Sequence, residues 1–178
     1  PTHAVSAPST HIYTNANFKS PDKMSLSFGS LIAVDRITAR FAQTAAGYIP
    51  TEHIRPVETL ATDPAAVAAA FLGTPYLWGG NSRWGIDCSG LVQAALLACG
   101  IPCPGDSDQQ QAIGLHATGA YQRNDLLFWK GHVAMVVDDT TLIHANAGSM
   151  STRYEGIAET ISRIIQSGDG QVSAHRRL

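Results

Sequence analysis

The sequence predicts an α+β protein in which a small β barrel over residues 1–58 precedes a domain over 59–178 that runs helices first and antiparallel sheet second. Three observations carry this reading. Residues 1–58 are rich in Ser, Thr and Pro, with short apolar stretches and no helical period. From residue 59 the texture changes to helix-forming runs that end on Gly and Pro. Three short apolar runs then follow one another with turn residues between them, the pattern of an antiparallel meander.

In the first region Leu26 and Phe28 alternate with polar residues, and Val34 and Ile37 stand among polar neighbours. Short strands with turn punctuation suggest a barrel, and Gly47-Tyr48-Ile49-Pro50 reads as its last strand, leading into a one-turn helix. Asp63-Pro64 is an expected N-cap and first-turn proline for a helix over 65–72. Residues 74–87 hold Gly79, Gly80, Gly85, Trp78 and Trp84, and so predict a tightly packed loop. A second helix is expected over 88–99, ended by Gly100-Ile101-Pro102. Ser107 is the expected cap of a short polar helix over 108–113. Strands are expected over 125–129, 132–137 and 141–145. Ile157, Ile161, Ile164 and Ile165 then share one face of a surface helix over 155–165.

Composition narrows the function. The chain has 178 residues, 44% of them hydrophobic, enough to bury a core, and its net charge of −2 offers no basic field for nucleic acid. No apolar run approaches the ~20 residues of a membrane span, so no membrane partner is expected. Three cysteines are too few, and odd in number, for a disulfide-built domain, and Cys99 and Cys103 read as small buried hydrophobes. That usage fits a reducing compartment.

The chemistry gathers around Cys88. Asp87 can cap the helix that Cys88 begins, and unpaired N–H groups with the helix dipole there favour negative charge. A thiol so placed is expected to have a lowered pKa and more thiolate. Such a cysteine can also simply pack, but the glycines and Trp78 before it suggest a cleft wall. A thiolate needs an imidazole partner, and His132 follows Gly131 at the start of a strand. With a two- to three-residue turn, His144 in the next strand can be its cross-strand neighbour and can orient its ring. One Cys and two His could instead hold zinc, but the close ligand pairs of a structural site are lacking, and no metal or cofactor is expected.

Tyr76-Leu77-Trp78-Gly79-Gly80, Asp87-Cys88-Ser89-Gly90, Gly131-His132-Val133-Ala134-Met135 and His144-Ala145 resemble, in order, the motifs of the NlpC/p60 family of bacterial cell-wall peptidases. The resemblance runs from residue 60 to about 147 and implies a reduced papain-like fold. Residues 1–58 resemble a bacterial SH3-like (SH3b) domain, mostly through Gly47 to Pro50. Together they imply a γ-D-glutamyl-L-diamino acid endopeptidase that cuts after D-Glu in murein stem peptides with a free N-terminal L-Ala. In that group the residues at the positions of Tyr76, Asp87, Ser89 and the pair Asp106-Ser107 line the pocket. Asp87 would bind the substrate ammonium, Ser89 and Ser107 the D-Glu carboxylate, and the Cys88 N–H with the Tyr76 hydroxyl the oxyanion. Asn124 replaces a usual Gly and Gly105 a common Arg. Asn tolerates the left-handed backbone, whereas any anion contact from the Arg is absent.

The resemblance implies a peptidase of released murein peptides, and the absence of a charged-then-apolar start favours the cytoplasm over the periplasm. The alternatives are a D,L-endopeptidase that trims intact peptidoglycan at the periplasmic or wall side, and a non-catalytic wall-binding protein. The last would be expected to lack Cys88 or His132.

Overall fold

In the computed structural model, which describes residues 1–178, the backbone divides into two units, Pro1–Leu60 and Ala61–Leu178. The first holds eight short strands: β1 (His3–Val5), β2 (Ser9–Tyr13), β3 (Asp22–Ser27), β4 (Leu31–Ile32), β5 (Arg36–Ile37), β6 (Phe41–Thr44), β7 (Gly47–Pro50) and β8 (Ile54–Pro56). They form antiparallel sheets in the orders β4-β1-β8 and β3-β2-β7-β6-β5. Val5, Ala42, Ile49 and Ile54 are the buried core, with Leu26, Ile32 and Val34 packed on it. Gly47 is required between β6 and β7: its φ is +145°, and a Cβ there would run into the Tyr13 carbonyl oxygen. A single 3₁₀ turn, Thr51–His53, follows β7 as expected.

The second unit holds helices α1 (Pro64–Ala69), α2 (Cys88–Ala98), α3 (Ser107–Gln110) and α4 (Ile157–Ser167). Its strands are β9 (Asn81–Ser82), β10 (Gly85–Ile86), β11 (Leu115–His116), β12 (Leu126–Trp129), β13 (His132–Val136), β14 (Thr141–Asn146), β15 (Ser151–Gly156) and β16 (Ala174–Arg177). β9 and β10 pair as a hairpin, and the other six form one sheet in the order β11-β16-β12-β13-β14-β15. Side chains alternate across this sheet. Leu127, Trp129, Ala134, Val136 and Leu142 receive Ile157, Ile161 and Ile164 of α4. The opposite face, with Phe128, Val133, Met135 and Ile143 fully buried, belongs to the side on which α1 and α2 pack. Burying Ile157 and Ile164 contributes about 1.5–3 kcal/mol each, which fixes the helix that will matter at the site, whereas Ile165, expected on the same face, is 44% exposed.

Helix ends differ from the sequence reading in ways that have a physical cause. Asp63 stands at the N-cap of α1 without a side-chain cap bond. Its carboxylate pairs with Arg123 at 2.8 Å instead, while Asn124 Oδ1 accepts from the Ala65 N–H at 2.8 Å. Asn124 does so from the left-handed region, with φ 73°, so the Asn that replaces Gly there caps a helix from outside. Ser107 is not a cap: it is the first residue of α3, Asp106 holds the N-cap position without a side-chain bond, and the helix ends at Gln110, not 113. Buried Gln110 anchors this turn by donating to the carbonyls of Ser89 and Pro104, both at 2.9 Å. Cys99 and Cys103 form no disulfide and are only half-buried.

Five strands of this unit were not expected: the two-residue β9, β10 and β11, and the longer β15 and β16. Residues 151–156 form β15, so Glu155 lies in a strand and the helix begins at Ile157. β16 enters the sheet through charge: Asp125, 1% exposed, accepts from Arg177 Nη2 at 2.7 Å and from His175 Nε2 at 2.6 Å. Burial alone would raise the Asp125 pKa, but Arg177, His175 and the Gln122 N–H outweigh it and hold the carboxyl below its ordinary value.

Candidate active site

Three segments converge at the start of β13. The loop before α2 is closed by backbone contact between glycines: a Cβ at Gly90 would run into the Gly80 carbonyl oxygen. Asp87 organises this junction as N-cap of α2. Its Oδ1 accepts from the Gly90 N–H at 2.7 Å and the Ser89 hydroxyl at 3.1 Å, and its Oδ2 from the Gly79 N–H at 2.8 Å. With about four lone-pair positions on a carboxylate, one remains on Oδ2.

Cys88 is 7% exposed, and its Sγ lies 4.0 Å from the Gly131 carbonyl oxygen, at the residue before His132. Gly131, at φ 72°, makes the turn that begins β13 there. The lowered thiol pKa expected from the helix terminus is not found. Burial pushes the Cys88 thiol above its ordinary 9.0, reinforced by the Asp87 charge, and outweighs the N–H groups of Val133, Ser89 and Cys88. The helix start remains; desolvation is the larger effect.

His132 and His144 are brought together, though not as directly opposed residues. The connecting turn spans residues 137–140, longer than expected, and Met135 opposes Ile143. Continued along the strands, that register sets Asn146 opposite His132, so the histidines meet on the diagonal. His132 Nε2 and His144 Nδ1 are 2.9 Å apart. The His132 ring also lies 5.7 Å, centroid to centroid, from the fully buried Trp129. Burial lowers the His132 pKa to about 3, with His144 and Arg163 adding to the effect and Glu155 opposing it. Burial likewise lowers His144 to about 4, against the pull of Glu155. At neutral pH both rings are neutral, and the thiol, 4.0 Å from the carbonyl that precedes His132, rests protonated.

Sequence reading missed three residues here. His144 Nε2 is 2.9 Å from Glu155 Oε2 and 2.9 Å from Asn146 Nδ2. Arg163 on α4 clamps Glu155 through Nε to Oε1 at 2.9 Å and Nη2 to Oε2 at 2.7 Å. Asn146 was findable, because residues two apart in a strand share a face. Glu155 was legible only through the Ser-Thr-Arg-Tyr alternation ahead of Gly156.

The residues expected to line a substrate pocket divide between two cavities. Asp87, Ser89 and Asp106 line one of about 190 Å³ together with Gln93 and Gly105. Tyr76 lines another of about 260 Å³ with Trp78, Lys130, His132, Asn146 and Arg163. Ser107 lines neither. Burial, with the charges of Asp87 and, at high pH, of an ionised Cys88, raises the Tyr76 phenol above its ordinary 10.0, so it keeps its proton at neutral pH.

The model of the NlpC/P60 family matches residues 73–166, a span that holds the thiol, both histidines and the clamp behind them. The chain belongs to the NlpC/P60 family. Its mixed helix and sheet architecture is the papain-like fold of NlpC/P60 proteins. The NlpC/P60 region is 35% identical over 94 residues to dipeptidyl-peptidase 6 of Lysinibacillus sphaericus, covering 52% of this chain and 35% of that protein. It is 39% identical over 84 residues to the gamma-D-glutamyl-L-lysine dipeptidyl-peptidase of Bacillus cereus, covering 42% of this chain and 25% of that one. The alignments thus span about a third and a quarter of those relatives. The crystal structure of an NlpC/P60 family protein from Bacillus cereus superposes with a TM-score of 0.81 at 24% identity, over 99% of this chain and 62% of that chain.

The protonation states of this NlpC/P60 site make a prediction about the free enzyme. Alkylation of Cys88 by iodoacetamide, followed site by site by mass spectrometry, is expected to climb about tenfold per pH unit up to at least pH ~9. A rate that stays flat from about pH 5 to 8 would mean a standing thiolate–imidazolium pair, and the neutral resting state would be wrong.

Proposed function

We propose that Cys88 is the nucleophile, His132 its base and His144 the residue that orients His132, in hydrolysis of the bond between γ-D-Glu and a diamino acid in murein stem peptides. The observation that carries the substrate assignment is the acidic cavity at the start of α2. Asp87 and Asp106 both line it, and Asp87 Oδ2 keeps one acceptor position beyond its bond to Gly79. A free N-terminal L-Ala presents an ammonium group that matches it, whereas an acylated L-Ala does not. Ser89 donates to Asp87 at rest and can turn to the D-Glu α-carboxylate once the ammonium takes its place. The likeness to a gamma-D-glutamyl-L-lysine dipeptidyl-peptidase supports the same substrate class.

In the proposed reaction His132 Nδ1 takes the thiol proton as Sγ attacks the D-Glu γ-carbonyl. The oxyanion is met by the Cys88 N–H and the Tyr76 phenol. His132 then protonates the departing amine, and the diamino acid leaves from the cavity that His132, Tyr76 and Trp78 line. Water, deprotonated by His132, cleaves the thioester and restores the thiol. We assign the enzyme to recycling of released peptides in the cytoplasm, and the N-terminal unit to an SH3-like barrel.

The test is a mass-spectrometric digest of free L-Ala-γ-D-Glu-diaminopimelate, its N-acetyl derivative and intact sacculi. Cleavage of the free tripeptide alone at the γ-D-Glu bond is the expected result. Equal cleavage of the acetylated peptide would remove the ammonium role of Asp87. Release from sacculi would indicate trimming of intact wall instead of recycling.

A further inference from the structure

We infer that Glu155, held by Arg163, is a positioning residue that sets the direction of the hydrogen bonds running through His144 to His132, and thereby keeps His132 Nδ1 unprotonated to face the thiol. This rests on His132 being the base of Cys88, as proposed above.

The inference follows from which atoms can donate. The Glu155 side chain is 15% exposed, and Arg163 gives it two bonds. Burial would raise its pKa, but Arg163 and His144 outweigh that and keep it an ionised, acceptor-only carboxylate. Oε2 at 2.9 Å therefore requires the proton of His144 on Nε2. A neutral imidazole has one N–H, so His144 Nδ1 is an acceptor, and His132 Nε2, 2.9 Å away, must be the donor. That assignment leaves Nδ1 of His132 bare, the form a base needs.

Asn146 works in the opposite sense. Its Oδ1 accepts from the Ser149 N–H at 2.8 Å, which turns its Nδ2, a donor, toward His144 Nε2 at 2.9 Å. With Asn146 alone, His144 Nε2 would be the acceptor, every bond in the chain would reverse, and His132 would carry its proton on Nδ1. Two neighbours thus ask for opposite tautomers. The charged one prevails, because a hydrogen bond to an ionised carboxylate is about twice as strong as a neutral one.

Glu155→Ala tests this, because it leaves Asn146 Nδ2, a donor, as the remaining one of the two neighbours at His144 Nε2. The expected result is a fall in kcat of about 10²–10³-fold with KM little changed, as for a wrong histidine tautomer elsewhere. ¹⁵N-histidine NMR of the free enzyme should show the His132 proton moving from Nε2 to Nδ1. Adding Asn146→Asp should restore both the tautomer and most of kcat, because it returns an acceptor to the same 2.9 Å position. Wild-type kcat with an unchanged tautomer in Glu155→Ala would overturn the inference. So would lost activity with an unmoved tautomer and no rescue, which is the signature of a merely structural glutamate. The NMR readout needs no substrate, so it separates this inference from the catalytic assignment, which stands or falls with His132→Ala.

Discussion

Cys88→Ser and His132→Ala are each expected to lower turnover of the γ-D-Glu peptide by about 10⁴-fold or more while leaving the fold and peptide binding in place. For Cys88→Ser the reason is the strength of the base. A ring whose pKa burial has lowered to about 3 can take a thiol proton as the carbon–sulfur bond forms, but a serine hydroxyl is a far weaker acid. Cys88 occupies the first turn of α2, where the smaller serine fits, so circular dichroism and calorimetric peptide affinity should match the parent. For His132→Ala the loss has two parts, because in the proposed reaction the same ring deprotonates the thiol and protonates the departing amine. Near-normal turnover in either variant, with substrate binding intact, would show that the chemistry lies elsewhere.

His144→Ala is expected to lower kcat by about 10²–10³-fold, less than either reacting residue, with KM nearly unchanged. His144 is fully buried and bonds His132 on one side and Glu155 on the other. Without it, the His132 ring keeps its stacking against Trp129 but loses the partner of Nε2. Single-turnover kinetics would locate the loss in acylation, and added imidazole, able to enter the space left, should recover part of it. An unchanged acylation rate would mean that packing on Trp129 orients the ring by itself.

Much of this protein was legible from residue type and spacing alone. Apolar runs separated by Lys130-Gly131 and Asp138-Asp139 gave the central strands β12, β13 and β14, because a fully buried strand must be continuously apolar. Asp87-Cys88 at the start of an apolar run gave the helix that carries the thiol, since the cap and its helix are local in sequence. Gly131-His132 and His144 were identifiable because strand histidines flanking a short turn end up near one another. What the chain does not announce locally is β16. Ala174–Arg177 has no apolar run, and it enters the sheet because Arg177 and His175 find buried Asp125 some fifty residues earlier in the chain.

The sequence by itself determined the helix that begins at Cys88 and the strands that carry the two histidines, since each depends on neighbours a few residues away. Only the tertiary structure decided the protonation and direction of the side chains they carry. Burial, a sum over the whole fold, pushes the Cys88 thiol up and both imidazoles down, overriding the local pull of a helix terminus. Strand register set the histidines on a diagonal and put Asn146 beside them. The packing of α4 on the sheet brought Arg163 onto Glu155, and Glu155 onto His144, joining residues that no local pattern connects.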